Sequence, residues 1–189
     1  ILQELRDATD VDHNLDFLAI GGEGRGALRP EGSRPRLFIS YRRDDSAAMA
    51  GRIYDWLRAH FGRESVFMDI DMIPAGEDFR QCLSTALTNC EVLLALIGTK
   101  WVEETEEGLR RLDSSKDFVR TEIETALARE IPVIPILLGN AVMPAEEDLP
   151  PTLRALAYRN AVHVDHGRDF YGHMDRLIRS IGRLLSATS

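Results

Sequence analysis

From Arg36 onward the chain alternates short apolar runs with amphipathic stretches. Leu37-Phe38-Ile39 is the first run and stops at the polar Ser40; Val66-Phe67-Met68 is the second; residues 92–97 form the third. The third shows no polar alternation, as expected of a strand buried on both faces. Residues 133–138 and 161–164 supply a fourth and a short fifth. Between them apolar residues recur at helical spacing. Met49, Ile53, Trp56, Leu57 and Phe61 mark one helix, with Ser46 placed to cap it. Phe79, Cys82, Leu83, Ala86 and Leu87 mark a second, and Val119, Ile123, Ala126 and Leu127 a third. Leu153 and Leu156 predict a short helix, and Phe170, Met174, Leu177, Ile178, Ile181 and Leu185 one face of the last.

Five strands alternating with helices, at steps of roughly 25–35 residues, predict an α/β fold with a doubly wound parallel sheet. Right-handed crossovers put helices on both faces. The flavodoxin-like order 2-1-3-4-5 is the default for five strands. Pro132 and Pro135 fall in the fourth strand. A proline cannot donate to a ladder, so Pro135 predicts incomplete pairing with the short fifth strand.

Residues 1–34 differ from the rest. Scattered apolar residues among acids lead into Gly21-Gly22-Glu23-Gly24-Arg25-Gly26, closed by Pro30 and Pro35. The glycine spacing is not that of a phosphate loop, and no helical pattern follows, so the segment reads as a linker before a domain at 35–187. The chain starts at Ile1, which gives the expectation of an upstream region in a larger protein. A net charge of −8 argues against nucleic acid or a membrane surface as the partner. Two cysteines, Cys82 and Cys90, make neither a disulfide framework nor a zinc site, which fits the reducing cytoplasm. His163, His166 and His173 have no spacing that would fix a metal.

In open α/β sheets a ligand sits beyond the carboxyl ends of the strands, where the strand order reverses. Here the loops that meet there are Tyr41-Arg42-Arg43-Asp44-Asp45, residues 69–76, and the polar connection 98–117 that contains Trp101. Two arginines, several carboxylates and aromatic faces suit a nucleotide: guanidinium pairs with phosphate, and rings stack on a base or a pyridine. No Walker loop is present, which lowers the case for ATP or GTP hydrolysis.

Three motifs in this order resemble a Toll/interleukin-1 receptor (TIR) domain. They are Phe38-Ile39-Ser40-Tyr41-Arg42-Arg43, then Phe67-Met68-Asp69-Ile70-Asp71 with Pro74-Ala75-Gly76, then Asp117-Phe118-Val119-Arg120-Thr121-Glu122-Ile123. The match covers about residues 35–187 and is closest to bacterial and animal members of the NAD+-cleaving kind. The resemblance implies release of nicotinamide from NAD+, giving ADP-ribose or a cyclic isomer, with NAD+ as substrate and no other cofactor or metal. It places the essential glutamate at Glu122, and substrate contacts at Tyr41, Arg42, Arg43 and Phe118. Asp69, Phe79 and Trp101 are further candidate contacts, each with a structural alternative: anchoring the 70–79 loop for Asp69, core packing for Phe79, and packing under the connection for Trp101. The animal members carry tryptophan at the position of Phe118. The 70–79 loop, with Asp71, Ile73, Pro74 and Gly76, corresponds to the family's self-association loop. Partners implied are other TIR domains and an upstream sensor in the same chain, in a bacterial, anti-phage immune setting. The alternative is a non-catalytic TIR–TIR interaction module, an adaptor or virulence mimic.

Helical geometry bears on Glu122. At 100° per residue it lies roughly 85° from the centre of the Val119–Ile123–Ala126–Leu127 stripe, and Glu124 roughly 115° away on the other flank. Phe118 is one turn earlier on the Glu122 side. An acid in the first helical turns also serves the macrodipole without any other role. The chemistry asks for only one carboxylate. Nicotinamide in NAD+ is already cationic and departs neutral, so no acid is needed to protonate it, unlike the oxygen of a sugar ether. What remains is to stabilise an oxocarbenium-like ribose, for which Glu122 must be ionised.

Overall fold

The computed structural model describes residues 36–68, 86–103, 108 and 110–187. Five strands form one sheet: β1 (Leu37–Ser40), β2 (Val66–Met68), β3 (Val92–Ile97), β4 (Val133–Leu138) and β5 (Val162–Val164). All pairs are parallel and the order is β2-β1-β3-β4-β5, as the alternation of elements predicts. Three longer helices flank it: α1 (Arg43–Phe61), α2 (Phe118–Ala128) and α3 (Phe170–Ala187). Residues 86–88 are also helical, while the rest of the helix expected around Phe79 and Cys82 lies outside the described residues, as do residues 1–34.

Strand alternation divides the core into two layers. Val92, Leu94 and Leu96 of β3 face α1 and α3, meeting Met49, Ile53, Leu57, Phe170, Met174, Leu177 and Ile181. Leu93, Ala95 and Ile97 face the other way, onto Val119, Ile123 and Ala126 of α2. Every residue of β3 is buried, which explains its unbroken apolar run. Pro135 behaves as its chemistry requires. Leu93 donates its N–H to the carbonyl of Pro132, so the even positions of β4 face β3 and Pro135 faces β5. Pairing with β5 then begins only at Ile136, opposite Val162.

Two expected features take a different form. Ser46 is not the cap of α1. The helix begins three residues earlier, at Arg43, with Arg42 in extended backbone geometry at the N-cap. Asp44 and Asp45 fill the first turn, where negative charge is favoured, and Ser46 sits inside the helix with its hydroxyl on the Arg42 carbonyl at 3.0 Å. The helix expected at Leu153 and Leu156 is a single 3-10 turn, Arg154–Leu156.

Candidate active site

Beyond the carboxyl ends of β1 and β3, the turn after β1, the connection after β3 and the first turn of α2 converge on one side chain. Arg42 is buried, its side chain only 1% exposed. Its Nη1 donates to Asp117 Oδ2 at 2.7 Å, its Nη2 to Asp117 Oδ1 at 3.3 Å, and its Nε to the Trp101 carbonyl at 3.2 Å. Asp117 also caps α2: Oδ1 accepts the backbone N–H of Arg120 at 2.8 Å. One carboxylate thus stops the free N-terminus of α2 and receives the guanidinium fork from the turn after β1.

The next two acids hold the connection at other points. Asp44 accepts Arg111 Nη1 at 2.5 Å, and Asp45 Oδ1 accepts the backbone N–H of Lys100 at 3.1 Å. Desolvation pushes the Asp44 carboxyl up, but the bond and charge of Arg111 outweigh it and hold it below its ordinary 3.8. A lowered carboxyl stabilises the fold above its unfolded value and loses that contribution as pH falls through the folded one. Both side chains are well exposed, so the contribution is small. Arg120 secures the connection from α2, donating Nη1 to the carbonyls of Leu112 and Asp113.

Gly98 is required where β3 enters this connection. A Cβ there would overlap the whole Asp45 carboxyl group. Gly98→Ala therefore displaces Asp45 and breaks its bond to Lys100. We expect a loss of about 1–3 kcal/mol in denaturant unfolding, the usual cost of overpacking. In an Asp45→Ala background the same change should cost almost nothing, because its clash partner is gone. Equal costs in both backgrounds would contradict this contact.

On α2 the two glutamates separate clearly. Glu124 is a surface group: its Oε1 accepts Arg120 Nε at 2.7 Å and the Thr152 hydroxyl. Glu122 is 7% exposed, as buried as Val119 at 6%, although helical phase puts it at the flank of the apolar stripe. Phe118, one turn earlier, is 54% exposed. An exposed ring and a buried carboxylate thus stand one turn apart on α2, the helix capped by the partner of Arg42.

The other expected contacts divide. Tyr41 is half-buried and packs against the α1–α3 layer, and Arg43 opens α1 at the exposed surface. Trp101 is 0% exposed and packs in the α2 layer with Leu112. Asp69, Phe79, Asp71, Ile73, Pro74 and Gly76 lie outside the described residues. Asp117 stands in the sequence as the first residue of the third motif, with no role assigned to it. Nothing local pointed to its partner 75 residues away.

Other reactive groups are occupied by the fold. The Cys90 thiol donates to the Val92 carbonyl at 3.3 Å, and burial pushes it up to about 12, so it stays protonated at neutral pH. His173 is buried and its Nδ1 accepts the Asp165 backbone N–H at 3.1 Å. Among the described residues no group of three or more His, Cys, Asp or Glu is placed to hold a metal ion. No helix among them is long and apolar enough to cross a membrane.

A family model described as TIR domain matches residues 37–178. The NAD(+) hydrolase sarm1 of Drosophila melanogaster is 29% identical over 135 residues, covering 69% of this chain but only 9% of its own length. Among solved structures, the TIR domains of the activated Roq1 resistosome, which recognises the pathogen effector XopQ, superpose with a TM-score of 0.57 at 12% identity. They cover 79% of this chain and 99% of theirs. A TIR-STING receptor from C. gigas in complex with 2',3'-cGAMP gives 0.51 at 21% identity, covering 82% of this chain and 41% of its own. At these identities the structural likeness speaks for the fold alone.

Proposed function

The chain belongs to the TIR domain family, and from that premise we propose that it is an NAD+ glycohydrolase with Glu122 as its catalytic carboxylate. The observation that carries this reading is the burial of Glu122. A carboxylate at that depth costs more to bury than an apolar side chain would. Catalysis does have a use for it, facing a substrate whose ribose becomes cationic. The named hydrolase among its relatives supports the same reaction class.

In this reaction the bond between ribose C1′ and the nicotinamide nitrogen breaks, and its electron pair leaves with nicotinamide. The positive charge passes to the ribose as an oxocarbenium-like centre, which the Glu122 carboxylate stabilises. Water adds to C1′ and gives up a proton, yielding ADP-ribose; attack by an adenine nitrogen instead yields a cyclic isomer. Phe118 stacks on the substrate at the lip of the site, and Tyr41, Asp69 and Phe79 line it.

Self-association through the 70–79 loop (Asp71, Ile73, Pro74, Gly76) belongs to the same proposal, with an upstream sensor in the full protein bringing copies together in a bacterial immune response in the cytoplasm. A site completed between copies follows mass action. Nicotinamide release per molecule should therefore rise with protein concentration, roughly in proportion while the assembled fraction is small. A constant specific activity across the range would remove self-association from the account and leave the hydrolase standing. Absence of release at every concentration, from folded protein, would remove the hydrolase.

A further inference from the structure

Resting on that reading of the site, we propose that Arg42 is a positioning residue, not a substrate ligand. Its ion pair with Asp117 sets the start of α2, and so sets where Phe118 and Glu122 stand.

The guanidinium is not presented to a ligand. Its side chain is 1% exposed and that of Asp117 is 7% exposed. Nη1, Nη2 and Nε all donate within the chain, two of them to the same carboxylate. A substrate phosphate would have to displace Asp117 from a bidentate pair and release the cap of α2. Burying such a pair returns little net stability, since desolvation costs about as much as the attraction gives back. What a planar fork on a carboxylate does supply is fixed geometry. Asp117 immediately precedes α2, and Glu122 follows five residues later, about 7.5 Å along a rigid helix. A rotation or shift at the cap is carried directly to the carboxylate.

The test uses two variants of the full chain, assayed where the wild type is assembled. Asp117→Asn keeps a capping oxygen but loses the charge; Arg42→Lys keeps the charge but loses the fork. Misplacing a catalytic group by about 1 Å costs on the order of a hundredfold. We expect kcat for nicotinamide release to fall about 10- to 100-fold in both, with KM for NAD+ within about threefold of wild type. A raised KM with kcat preserved would make Arg42 a substrate ligand and overturn the proposal. Amide hydrogen exchange supplies a readout that needs no turnover. In Asp117→Asn, exchange at residues 120–122 should quicken about tenfold or more while α3 keeps its protection. Unchanged exchange at 120–122 would overturn the proposal, and so would an equal rise in α3, which would make the pair a general stabiliser. If the wild type releases no nicotinamide, the hydrolase reading falls, and the exchange result still decides whether Arg42 positions α2.

Discussion

Glu122→Gln is expected to reduce nicotinamide release about a thousandfold, the scale on which loss of one preorganised electrostatic partner of a transition state is felt. The amide has the shape of the carboxylate and no charge, so it leaves the ribose cation without its counter-ion. Folding should be unharmed. The amide is isosteric with the carboxylate at this 7%-exposed position, so the variant should stay folded with a cooperative unfolding transition. That combination, activity lost and the fold kept, separates a catalytic carboxylate from a structural one. Glu124→Gln serves as the comparison on the same helix. Its carboxylate is spent on Arg120 and Thr152 at the surface, and activity should stay near wild type.

Trp101→Ala has the largest expected effect on the fold. The ring is fully buried in the α2 layer with Leu112, Val119 and Ile123, and its removal opens a cavity beneath the connection 98–117. A loss of about 3–5 kcal/mol is expected, which lowers the thermal midpoint by roughly 8–15 °C in a chain of this size. Among the described residues the indole N–H has no hydrogen-bond partner. Trp101→Phe should therefore keep most of the stability, since it retains the ring packing and removes an unsatisfied buried donor. The Trp101 carbonyl, which receives Arg42, stays in place in that variant. A Trp101→Ala protein as stable as wild type would show that the ring is not part of the core.

The sheet was readable because its signals are local. Unbroken apolar runs, helical spacing between them and a proline at 135 each act within a few residues, and together they allow only a narrow choice of topology. The start of α1 was misread for a related reason. Ser46 is a good cap by type, but Asp44 and Asp45 favour the helix start from inside it, and the Arg42 side chain is engaged elsewhere. The site was less legible because its contacts join distant parts of the chain. The partner of Arg42 is 75 residues away, and the Trp101 carbonyl it also holds is 59 away. By type and position Trp101 suits either a pocket wall or packing under the connection, and its full burial depends on residues distant in the chain. Helical phase puts Glu122 at the flank of the apolar stripe but cannot give its depth, which depends on what packs against that flank.

The measurement that bears most directly on the central claim is a product balance on the concentrated wild-type chain with NAD+. Nicotinamide, ADP-ribose and any cyclic isomer are quantified against the NAD+ consumed. The account predicts one nicotinamide for each NAD+ lost, matched by ADP-ribose and cyclic isomer together. NAD+ left intact by folded, assembled protein would contradict the account and favour an interaction module built on the same fold.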